Sequence, residues 1–153
     1  MNAVVWLSSF AQEAVRTEAA LHPREETGGM LLGYRDGDTA VVVAAVGPGP
    51  AARRTATRFL PDAAWQQSRL DEIYAASGRT TAYLGDWHTH PGGLAVLSRQ
   101  DRRTLRRSAA HRPARQPRPL SAVLAPNADG DIAIWEHRGR WRQPVALLWR
   151  HYA

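Results

Sequence analysis

No cysteine occurs among the 153 residues, so the chain can form neither a disulfide framework nor a cysteine-ligated zinc site, and it offers no thiol nucleophile. Redox compartment is left open by that test. Lysine is missing as well: all 20 basic residues are arginine, as in genomes whose base composition favours arginine and alanine codons. Long apolar runs are also missing. No segment approaches the ~18 to 20 residues that span a bilayer, so no membrane partner is expected. The opening Met1-Asn2-Ala3-Val4-Val5-Trp6 has neither a basic flank nor a cleavage-site pattern, which argues against a secretory signal and makes the cytoplasm the expected compartment. With no internal repeat and no second composition, residues 1–153 read as a single domain, long enough to bury a sizeable core.

The charge is one-sided. A formal net charge of +6 and a sequence pI near 10.9 invite a nucleic-acid reading. The arginines concentrate at Arg99, Arg102, Arg103, Arg106 and Arg107 and continue through Arg112, Arg115 and Arg118. On a helix starting near Ser98, the first four share one broad face. Such a face is usually only solvated, and phosphate or an acidic protein partner would both suit it. No aromatic interleaving or recognised motif accompanies it, so nucleic acid is the less favoured partner.

Periodicity and turn signals predict alternating strands and helices. Val4 to Leu7 reads as a strand, and Ser9 with Gln12 as a capping box opening a helix to about Leu21, with Phe10, Ala14, Thr17 and Leu21 on one face. Residues 28–34 and 39–46 read as strands joined around Asp36-Gly37-Asp38, and continuously apolar 41–46 as a buried central strand. An exposed loop follows from Gly47 to Arg58. Pro61-Asp62 opens a helix to about Ser77 with Leu70, Ile73 and Tyr74 inward. Residues 80–90 read as a strand, 98–110 as the arginine-faced helix, 112–119 as a linker, and 121–124, 132–137 and 145–149 as strands turning at Asp129-Gly130 and Arg138-Gly139. Trp135, Trp141 and Trp149 read as core or sheet-face residues.

One constellation carries chemistry. His88-Thr89-His90 is followed after seven residues by Ser98 and after two more by Asp101. Histidines two apart on a strand project from one face, so both imidazoles can reach one cation while Thr89 points away. Asp101 can add an oxygen ligand from beyond a short loop, leaving a fourth tetrahedral position open for water, the mark of a catalytic zinc. Ser98-Arg99-Gln100-Asp101 is also a plausible capping box, and the two readings are compatible. Asp86, two residues before His88, is either an acceptor that orients a ligand or a strand-end charge.

These residues resemble the signature of the JAB/MPN metallopeptidases, also called JAMM: a glutamate upstream, then H-[ST]-H-x7-S-x2-D. Glu26-Thr27-Gly28-Gly29-Met30-Leu31-Leu32-Gly33 resembles the upstream half. The family's glycines stand three and seven residues after its glutamate; Gly29 and Gly33 meet that for Glu26, and Glu25 becomes a solvated neighbour. One departure is Leu97, where many relatives carry proline, which should loosen the loop slightly. Gly85-Asp86-Trp87-His88-Thr89-His90-Pro91 is most similar to the bacterial JAB branch.

The resemblance implies an α/β (mixed α+β) MPN/JAMM fold, a curved mixed sheet packed with helices. It implies one Zn2+ per chain on His88, His90 and Asp101, Glu26 as general base and acid, and Ser98 as a hydrogen-bond donor to the developing oxyanion. The implied function is a zinc isopeptidase or peptidase that cleaves after the C-terminal glycine of a ubiquitin-like protein, maturing a precursor or releasing a conjugate, alongside E1-like and E2-like proteins such as those of antiphage conjugation systems. In a system that modifies lysine amines, a lysine-free enzyme offers no side-chain amine of its own. Alternatives are a JAMM hydrolase that processes a sulfur-carrier protein, and a non-catalytic scaffold or basic DNA-associated MPN domain.

Overall fold

In chain order the elements are β1 (Val4–Ser8), α1 (Ser9–Leu21), β2 (Gly28–Asp36), β3 (Thr39–Val46), β4 (Arg53–Arg54), β5 (Phe59–Leu60), α2 (Ala63–Ala76), β6 (Ala82–Thr89), α3 (Arg99–Ala110), β7 (Leu120–Ala125), β8 (Asp131–Glu136) and β9 (Val145–Tyr152). This computed structural model describes residues 3–125 and 131–153. Seven strands curl into a closed mixed sheet in the order β1-β3-β2-β6-β7-β8-β9, in which β1 runs parallel to both β3 and β9 and so closes the ring. β6 pairs antiparallel with β2 and parallel with β7, so the strand bearing the histidines is supported on both edges. The expected element order holds, with two additions: a 3-10 turn, Arg112–Ala114, in the expected linker, and a small sheet. Within and just beyond the expected loop, β4 and β5 form a small two-stranded sheet. The Asp129-Gly130 turn lies outside the described residues.

The glycines of the upstream motif have a packing reason. A Cβ on Gly29 would come within 1.7 Å of the Val46 carbonyl oxygen, and one on Gly33 within 1.8 Å of the Val41 oxygen. Strands β2 and β3 therefore approach only where no side chain intervenes, and Trp87 fills the space beside Gly29 and donates to the Val46 carbonyl at 3.1 Å. The main core gathers Val5, Leu7, Leu31, Val42, Leu84, Trp87, Leu120 and Ile134 with Ala11, Val15 and Ala19 of α1.

Several local expectations are corrected. The N-cap of α1 is Ser8, whose hydroxyl accepts from the Ala11 amide at 2.9 Å; Ser9 and Gln12 instead meet the His151 ring. The buried face of α1 is Ala11, Val15 and Ala19, while Phe10 and Leu21 are 69% and 68% exposed, because close seating on the sheet requires small side chains. In β3 burial alternates, so only one of its faces is fully covered. Helix α2 turns Trp65, Leu70 and Ile73 onto Met30, Leu32 and Val46, whereas Tyr74 is exposed. Trp135 and Trp149 pack as expected, but Trp141 is 88% exposed. Leu97, expected to loosen its loop, is buried against Leu105 and Val123 and anchors it.

At the barrel end away from the histidines, Glu136 is fully buried and receives three guanidinium groups: Arg35 at 2.8 Å, Arg118 at 2.7 Å and Arg138 at 2.6 Å. Removing one partner of a buried ion pair leaves the others uncompensated. Glu136→Gln is expected to cost about 3 kcal/mol or more in chemical denaturation, against under about 0.5 kcal/mol for Glu72→Gln in the exposed Arg69–Glu72 pair. Equal effects would contradict a structural role for the cluster.

Candidate metal centre and active-site cleft

Strand alternation sends His88 and His90 to one face of β6 and its end. His90 is further fixed by its ring: Nδ1 lies 2.9 Å from the Leu94 carbonyl oxygen, which can only accept, so Nδ1 carries a proton and Nε2 is turned toward Asp101. Asp101 arrives from the first turn of α3. There the Ser98 hydroxyl accepts from the Asp101 amide at 3.1 Å and the Asp101 carboxylate accepts from the Ser98 amide at 2.8 Å, a complete capping box. The cap therefore aims the carboxylate at the two histidines.

The three side chains converge. His88 Nε2 stands 3.2 Å from Asp101 Oδ1, His90 Nε2 stands 3.1 Å from Asp101 Oδ2, and the two Nε2 atoms are 3.0 Å apart. With the proton of a neutral His90 ring on Nδ1, its Nε2 and the carboxylate oxygen would be two acceptors in contact. Such an arrangement needs a shared cation, either a proton or a metal ion. Burial alone would raise the Asp101 carboxyl, but hydrogen bonds from His88 and His90 outweigh it and hold the group well below the usual carboxylate range. The Asp101 hydrogen bond raises His90 in turn, against burial. Among the described residues, His88, His90 and Asp101 form the one group of three or more such donors able to share a metal ion, all ligand atoms lying within 4.8 Å of one another. Two imidazoles and a carboxylate are a donor set that fits a transition metal.

Glu26 lines the same open cleft, about 850 Å³, as His88, His90, Ser98 and Asp101. Its side chain is half-buried, and burial raises its carboxyl above the ordinary value even though both histidines pull it down. Glu25, the neighbour, points outward to His22 at 3.6 Å. Asp86 does not orient either histidine. It accepts from the Tyr83 hydroxyl at 2.7 Å, and burial pushes it up to about 6 against that hydrogen bond.

What holds Glu26 in place was invisible to motif reading. Thr89, the residue between the histidines, is buried and faces the other way. Its hydroxyl accepts from the Thr27 amide at 3.0 Å and its amide donates to the Thr27 carbonyl at 2.8 Å. The Glu26 amide donates to the Thr55 carbonyl at 2.7 Å, so the β4–β5 hairpin grips the same segment from outside. Arg54 completes the tie, donating to the Thr27 hydroxyl at 3.1 Å and to Glu18 of α1 at 2.9 Å. The only signal for this in the sequence is that position 89 carries a hydroxyl.

Comparison with known proteins agrees with this geometry. A family model described as prokaryotic homologs of the JAB domain matches residues 8–138. The "Probable metalloprotease y4qB" of Sinorhizobium fredii is 39% identical over 126 residues, 81% of this chain and 77% of that one. A Vibrio cholerae protein named "CD-NTase/cGAS isopeptidase" is 37% identical over 87 residues, 57% of this chain and 56% of its own length. The solution structure of a protein from Desulfitobacterium hafniense superposes with a TM-score of 0.72 at 18% identity, covering 97% of this chain and 92% of the other, which shows a shared fold. With its His88, His90 and Asp101 cluster set in that fold, the chain belongs to the prokaryotic JAB-domain family and is a metallopeptidase.

Proposed function

We propose that this protein is a zinc-dependent isopeptidase or peptidase that cleaves after the C-terminal glycine of a ubiquitin-like protein, maturing a precursor or releasing a conjugate. The observation that carries the reading is the half-buried Glu26 carboxyl sharing one cleft with His88, His90 and Asp101. The isopeptidase name of the Vibrio cholerae relative supports the kind of bond cleaved. The setting we propose is one with E1-like and E2-like proteins, of the kind found in antiphage conjugation systems, because an isopeptidase acts on conjugates.

His88, His90 and Asp101 would hold one zinc ion, which when bound supplies Lewis-acid polarisation of the scissile carbonyl and acidifies water. Glu26 takes a proton from the attacking water, a task its raised pKa suits, and returns it to the departing amine, which leaves poorly unless protonated. Ser98 is already an acceptor toward the Asp101 amide, so its own hydroxyl proton is free to go to the substrate oxygen that becomes negative. The Thr27–Thr89 pairing and the Thr55 carbonyl keep the Glu26 backbone from drifting off the cleft wall. No acyl-enzyme is needed.

A fusion of a ubiquitin-like protein to a short C-terminal extension tests this directly. The native chain should cut after the terminal glycine. Glu26→Gln should keep its metal and lose about 10²- to 10⁴-fold in kcat, His88→Ala should lose both metal and turnover, and Glu25→Gln should leave turnover unchanged. Full activity in Glu26→Gln would overturn the assignment.

Zinc binding should depend on pH in a defined direction. A metal ion must displace the proton that His90 holds above the ordinary value of 6.5, so affinity is expected to fall as pH drops through and somewhat above that value. In the metal-free protein the sign reverses: the stability contributed by protonated His90 is complete below 6.5 and is lost as pH rises through the raised value. Chelator competition at acid and neutral pH, with melting of the metal-free protein, reads both. A zinc affinity independent of pH across this interval would contradict the tautomer and ligand roles given to His90.

A further inference from the structure

Helix α3 borders two concave surfaces, and the metal cleft is on only one flank. On the other flank Arg102 and Arg106, one turn apart, face the segment between β8 and β9. There His137, Arg140, Trp141, Arg142, Gln143 and Pro144 complete the wall of a separate pocket of about 180 Å³. Four guanidinium groups and an imidazole surround it, and no carboxylate does. Elsewhere the fold supplies acids for its inward arginines, as with Arg35, Arg54, Arg118 and Arg138. Among the described residues, none of Arg102, Arg106, Arg140 and Arg142 forms an ion pair with a carboxylate. Arg102 hydrogen-bonds the Gln143 side-chain oxygen, and Arg140 sits 5.0 Å from the centre of the Trp141 ring. Burial, reinforced by Arg106, holds His137 below its ordinary value.

Like charges gathered around a small void repel one another and favour an anionic guest. The volume falls below the ~300 Å³ at which pockets begin to enclose drug-sized ligands, so the guest must be compact and carry several negative charges. A carboxylate brings one charge on a carbon stem. Phosphate groups bring more charge per volume, and their oxygens match the planar guanidinium fork in bidentate fashion. Trp141, 88% exposed beside the pocket, presents an aromatic surface of the kind on which a base stacks. We propose that this pocket binds the phosphate groups of a nucleotide, with Trp141 carrying the base. The site is independent of the reaction on the opposite flank of α3.

The probes are ATP, followed by calorimetry, and a short fluorescein-labelled oligothymidylate, followed by anisotropy at low and physiological salt, both with the metal-loaded protein. The native chain should bind at least one of them, more weakly as salt rises. The Arg106→Ala/Arg142→Ala double variant should weaken binding at least tenfold, and Trp141→Ala about tenfold, with circular dichroism and metal content unchanged in both. Saturable ATP binding identifies a free nucleotide as the ligand, and oligonucleotide binding without ATP binding identifies a nucleic-acid strand. The proposal is overturned if neither probe binds, if the double variant binds as the native chain does, or if a polyglutamate peptide displaces the probe as well as the unlabelled oligonucleotide does.

Discussion

The two oxygens of Asp101 each face a different imidazole, and the rest of the site depends on that convergence. It requires a strand that presents His88 and His90 on one side and a helix start that delivers Asp101 to them. The Ser98 capping box meets the second requirement by satisfying the first amides of α3 with the same two side chains that the cleft uses. Two imidazoles and a carboxylate held this close share a cation, a proton or a metal ion.

The same strand also positions Glu26, the residue we propose as general base. Alternation turns Thr89 away from the histidines, where its two hydrogen bonds to Thr27 set the chain direction at Glu26. His88, His90 and Glu26 thus share one rigid reference, with Gly29 and Gly33 letting β2 lie close to β3 beside it. At the far end of the barrel, Glu136 ties arginines from three separate segments together.

What could be read from the sequence was what is local in spacing. The His88, His90, Ser98 and Asp101 pattern needs only strand alternation and one helix turn, and Glu26 was set apart from Glu25 by matching Gly29 and Gly33 to the glycine spacing of the resembled family. Element order and hairpins followed from turn residues and apolar runs. Features decided by distant contacts were not legible. Helix α1 buries Ala11, Val15 and Ala19 because the sheet beneath it admits only small side chains, and nothing in its own pattern demotes Phe10 and Leu21. The β4–β5 hairpin is two residues on each side, too short for a period-2 signal. Trp141 resembled the packed tryptophans around it until the chain path placed it beside four arginines.

The most direct test of the account is anomalous diffraction from crystals of the native protein grown with zinc, recorded at the zinc absorption edge. A single site is predicted, with ligand atoms from His88 Nε2, His90 Nε2 and Asp101 at about 2.0 to 2.2 Å and the Glu26 carboxylate beyond bonding distance. An anomalous peak elsewhere, or a site in which Glu26 replaces one of the three as a ligand, would contradict it.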